Sequence, residues 1–167
     1  MKRKSDFASY RSQFVSNAIY SVLIHAFVTV VGTSGLILLG TIFYALPSTG
    51  VFAVPAIAGY PLLGYLILQV LPKRNLLSVS ILSLLLAVIS LTFIIGSLLL
   101  DNYLGLLSLI NLPAYLLMTM VIDSGGIIDF AYAEYFAFFV AAFIPSSLIY
   151  LGLRLRMRKE QKQAPVV

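Results

Sequence analysis

VFAVPAIAGYPLLGYLILQVLPKRNLLSVSILSLLLAVISLTFIIGSLLL, residues 51–100, decides the fold. Its only charged residues are Lys73 and Arg74, set between two apolar runs. Each run is long enough for a helix across a bilayer, which takes about 20 apolar residues. Pro72, Lys73, Arg74 and Asn75 read as a tight turn. The segment is therefore a helical membrane hairpin with a basic turn.

The rest of the chain repeats this plan. Basic residues fall in three short stretches: Lys2, Arg3, Lys4 and Arg11; Lys73 and Arg74; and Arg154, Arg156, Arg158, Lys159 and Lys162. Asp101, Asp123, Asp129 and Glu134 lie between the second and third. Of the 167 residues, 60% are hydrophobic and 10% charged, so little polar surface remains for a soluble domain. The composition predicts an all-α integral membrane protein. With a net charge of +5 placed beside apolar runs, anionic lipid headgroups are the expected counter-charge, and nucleic acid is not.

Working outward, residues 1–16 form a basic cytoplasmic or interfacial segment, with Phe7, Tyr10 and Phe14 at helical spacing. A short interfacial helix and a frayed tail are both open there. Spans are expected over about 17–46, 51–71, 76–100 and 129–153, making one transmembrane domain from 17 to 153. Residues 154–167 are a basic cytoplasmic tail. The apolar run 104–122 carries Asn111 and Pro113 at its centre and is expected to re-enter the membrane without crossing it. That assignment keeps all three basic stretches on the cytoplasmic side and leaves the four acids between them outside. Five crossings would instead put the basic tail outside. The expected location is the plasma membrane, multi-pass.

Some residues break the apolar background. Pro55, Gly59 and Pro61 predict a kink in the second span, and Pro145 one in the last, because proline removes a helix hydrogen bond. With Asn111 and Pro113 they are the residues expected to open a cavity. Ser80, Ser83, Ala87 and Ser90 recur at spacings of three and four, which Ile94 continues to Ser97, and Ala133, Ala137 and Ala141 recur at spacings of four. Small residues let membrane helices approach closely, so these two stripes are the expected packing faces.

Chemistry has few candidates. Glu134 shares a face with Ala137 and Ala141, and an ionisable side chain at membrane depth is a candidate proton or solute site. Asp129 and Asp123 could join it at an outer acidic rim, and a rim set only by orientation accounts for the same residues. His25 could relay a proton. With one histidine and no cysteine, no metal centre and no cofactor is expected.

Three classes of function follow as expectations. The first is a non-enzymatic subunit or solute-binding component of a transport system. The second is an interaction protein, such as an assembly factor or immunity protein, working by helix packing against another membrane protein or itself. The third, an intramembrane enzyme, would need at least two of the outer carboxylates.

Overall fold

The structure, a computed structural model, describes residues 2–42, 50–71, 75–100, 111, 135–136 and 139–163. Among them there is no strand. The helices are α1 (Lys2–Ile42), α2 (Gly50–Ile67), α3 (Asn75–Leu100) and α4 (Ile144–Gln163). Three stretches are long and apolar enough to cross a membrane: Ser9–Gly32 in α1, Asn75–Gly96 in α3, and Phe139–Gln163, which contains α4. The apolar part of α2, Ile57–Ile67, is shorter.

The helices pack as a ring in the order α1, α2, α4, α3, with α1 touching α4 across it. Ile24, Val28, Tyr60, Leu82, Ile149 and Leu153 fill the centre. Large apolar side chains also cover the outside; Val30 is 64% exposed and Leu84 67%. Asn17, Ser21, His25, Asn75 and Ser78 are buried. Polar groups inside and leucines outside suit a bundle whose solvent is hydrocarbon.

Three boundaries differ from the sequence expectation. First, α1 is one continuous helix from Lys2, with no break where the expected span begins. Second, α2 stops at Ile67 rather than at 71, and Leu68–Leu71 are non-helical. Third, α4 runs through the basic stretch to Gln163. Arginine, leucine, methionine, lysine and glutamate are good helix formers, so a positive charge is no reason for the helix to end. Arg156 and Glu160 add an i,i+4 pair at 2.9 Å, half-exposed and so worth only a few tenths of a kcal/mol.

The start of α4 shows what Pro145 does. Before it, Ala142 N–H donates to Phe139 O and Phe143 N–H to Val140 O, the tighter turns of a helix about to break. Pro145 has no N–H to give to the carbonyl four residues back, Ala141 O. That carbonyl instead accepts from Asn111 Nδ2 at 2.7 Å. Asn111 is thereby tied to the break in the last helix. Losing this bond strands a part-buried carbonyl, so Asn111→Leu should cost about 1–2 kcal/mol. Thermal unfolding of the detergent-solubilised chain would read that loss, and an unchanged midpoint would contradict it.

The ring closes most tightly between α2 and α4. A Cβ on Gly64 would run into Ile149 O, and one on Gly152 into Pro61 O. The two backbones touch, which only glycine permits. Gly59 is less crowded, with Val28 of α1 at 3.4 Å.

Candidate functional site

α1 carries Asn17, Ser21, His25 and Thr29 at spacings of four, and all four are buried. Four residues rise about 6 Å along a helix, so the stripe is about 18 Å long, more than half of a hydrocarbon core. Ser21 Oγ donates to Asn17 O at 2.8 Å. His25 Nδ1 lies 2.9 Å from the Tyr60 hydroxyl of α2. The two rings are stacked at 15° with centroids 6.0 Å apart. Either partner can be the donor, depending on which imidazole nitrogen holds the proton.

Gly64 and Gly152 explain why Tyr60 is available. They let α4 press its backbone onto one face of α2, while Gly59 lets α1 approach beside Tyr60. Tyr60 is fully enclosed, and its hydroxyl finds its partner on α1. A phenol buried in an apolar bundle needs such a partner, because an unmet hydroxyl costs free energy.

At the other end of the stripe the side chains hold backbone. Asn17 Nδ2 donates to Gln69 O at 2.8 Å, and Gln69 N–H donates to Asn17 Oδ1 at 3.0 Å. Leu71 N–H donates to Asn75 Oδ1 at 2.6 Å, and Asn75 Nδ2 donates to Leu71 O at 2.8 Å. Arg156 Nη1 donates to Leu68 O at 2.8 Å. One polar side chain from each of α1, α3 and α4 thus meets the non-helical stretch after α2. Asn75 Nδ2 also reaches Met157 Sδ at 3.4 Å. These bonds bring Asn17, Gln69, Asn75 and Arg156 to one end of the bundle. The three basic stretches of sequence flank these same residues.

Of the residues expected from sequence, Asp123, Asp129, Glu134, Pro113, Ala133 and Ala137 lie outside the described residues. Pro55 and Ser97 lie in α2 and α3. Ser83 and Ser90 are buried, whereas Ser80 is half-exposed and donates to Leu77 O at 3.1 Å. Ala87 packs at the edge of the core, and Ala141 is buried. Among the described residues no group of three histidine, cysteine or acidic side chains could hold a metal ion.

Sequence reasoning singled out His25 and passed over its neighbours in the stripe, Asn17 and Ser21. The signal was present: a polar residue every fourth position through an otherwise apolar run. Gln69, Asn75, Arg156 and Gly152 gave no such signal: Gln69, Arg156 and Gly152 matter through distant partners, and Asn75 through the backbone of Leu71 four residues back. Comparison with protein-family models, curated proteins and solved structures finds no match to this chain.

Proposed function

We propose that the chain is a non-enzymatic subunit or solute-binding component of a membrane transport system, and that the His25–Tyr60 pair is its proton-handling centre. The reading rests on one observation, an imidazole hydrogen-bonded to a phenol on a polar stripe inside an apolar bundle. Ionisable groups in such a place are costly and mark ion or substrate paths. Imidazole changes charge near neutral pH, and flanking hydroxyls can pass the proton along. Pyranine-loaded liposomes containing the full chain should show proton flux driven by a potassium diffusion potential. His25→Gln should lower it roughly a hundredfold, and Tyr60→Phe should lower it with the fold unchanged. Flux equal to that of empty liposomes, or unaffected by either change, overturns the reading.

The proposed threading is four spans with 104–122 re-entrant, both ends cytoplasmic, in the plasma membrane. The hydrogen bonds from Asn17 to Gln69 and from Arg156 to Leu68 support equal sidedness of the two ends. The sequence has no cysteine, so single cysteines can be introduced on the native background. In intact cells a membrane-impermeant thiol reagent should modify cysteine placed at Gly125 and spare cysteine placed at Arg74 or Glu160. Labelling at Glu160 together with protection at Gly125 would refute the threading.

An assembly or immunity protein acting by helix packing is the alternative. It is favoured by the small residues that line an open cleft on α3, Ser80, Ser83 and Ala87.

A further inference from the structure

We propose that the cleft between α3 and α4 holds one anionic phospholipid, with an acyl chain along Ser80 and Ser83 and its phosphate on Arg154 and Arg158. The cleft encloses about 590 Å³, within the roughly 300–1,000 Å³ typical of ligand sites. Leu77, Ser80, Ser83 and Ala87 form its α3 wall. Ser146 and Ser147 of α4, with Phe143 in the turn before it, form the other wall. Small side chains make the hollow, and Leu84 and Phe143 border it with apolar surface. Every lipid-facing surface touches acyl chains, but a hollow confines one chain on several sides and so can retain it.

Charge at one mouth decides the headgroup. Arg154 follows Ser147 by seven residues, two helical turns, so it lies on the same face of α4, about 10 Å nearer the basic end of the bundle. Arg158 is one further turn along. The neighbouring cations are engaged elsewhere: Arg156 with Leu68 O and Glu160, and Lys159 over the Tyr65 ring at 5.9 Å. Arg154 and Arg158 are exposed and form no ion pair among the described residues. On the opposite wall the lining begins at Leu76, the second residue of α3. Positive charge thus stands at the mouth on the α4 side, while the walls carry none.

Guanidinium groups bind phosphate oxygens in a two-pronged geometry, and basic pockets between membrane helices select anionic headgroups. A zwitterionic lipid would add an ammonium group beside these cations and gain less. A helix from another protein would fit the small residues, but it would leave the placement of the arginines without a role.

The test is native mass spectrometry of the full chain equilibrated with mixed micelles holding equal amounts of phosphatidylglycerol and phosphatidylcholine. One phosphatidylglycerol should be retained in preference. Each of Arg154→Gln and Arg158→Gln should reduce that preference about fivefold. Ser83→Leu, which fills the cleft, should lower retention of lipid while the helical circular dichroism stays unchanged. Should Ser83→Leu prove too disruptive to fold, the two arginine variants decide alone, since both lie on an exposed helical surface. Equal retention of the two lipids, or a preference that survives both arginine changes, overturns the proposal. So does a Ser83→Leu variant that keeps its lipid but loses a bound protein or a second copy.

Discussion

Gly152→Ala is expected to lower the thermal midpoint of the detergent-solubilised bundle by roughly 6–12 °C, the largest effect of an added methyl group among the described glycines. The added Cβ would run into Pro61 O and lie 2.8 Å from both Pro61 C and Tyr65 N. All three are backbone atoms, so no side-chain rotation relieves the clash. The helices must move apart, and overpacking of this kind costs about 3 kcal/mol or more. Separation would also loosen Ile149 and Leu153 in the core and draw Arg156 away from Leu68 O. Gly64→Ala should act in the same direction, since its Cβ meets the backbone of Ile149. Gly96→Ala is the internal control: nothing lies within 4 Å of its Cβ, so it should be neutral or slightly stabilising. If Gly152→Ala melts with the parent and with Gly96→Ala, the close crossing of α2 and α4 is wrong.

The crossing also marks where sequence stops being readable. Helical membrane character is a sum over some 20 residues, so errors at single positions leave it intact. Hence the apolar runs holding α1, α3 and α4 could be read directly. A glycine contact depends on one residue in each of two helices, and nothing near Gly64 names Gly152 as its mate. Gly64 sits in a stretch already rich in proline and glycine, where it reads as one more weak point in the helix. The stop after Ile67 was hidden for a similar reason. Leu68-Gln69-Val70-Leu71 is as apolar as the helix before it, and two of the three side chains that hold it lie 52 and 88 residues away.

The candidate site was half-legible. The repeat Asn17, Ser21, His25, Thr29 needs only a count of four, and it marks one face of α1 as polar and inward. Weighing His25 alone concealed it. Tyr60 could not have been chosen from among ten tyrosines without the packing of α1 on α2. Asn111 and Pro145 each stood out as helix breakers, but their connection through Ala141 O appears only in three dimensions.

Asn17→Ala should release the stretch after α2 while leaving the helices formed. Asn17 is completely buried, and its amide serves both backbone groups of Gln69, one as donor and one as acceptor. Alanine leaves both unmet. Each such loss costs about 1–3 kcal/mol when the groups are buried, and Gln69 is exposed enough for water to recover part of it. A local loss of about 2–3 kcal/mol corresponds to amide exchange at Gln69 roughly 30- to 150-fold faster. Asn17→Asp should fall between, because a carboxylate can accept from the Gln69 N–H but cannot donate to its carbonyl. Ser21→Ala should have little effect, since its hydroxyl donates to a carbonyl of its own helix. Hydrogen exchange followed by mass spectrometry on peptides covering 66–71 distinguishes the three. Equal exchange in parent and Asn17→Ala would mean that the stretch is held without the amide. The expected release has a second consequence at the His25–Tyr60 pair, which lies two turns farther along both helices. With the end of α2 untied, Tyr60 loses one of the restraints on its position, so proton flux in liposomes should fall in Asn17→Ala although neither member of the pair has changed. A fall in flux without faster exchange at Gln69 would break that link and give Asn17 a direct place in the proton path.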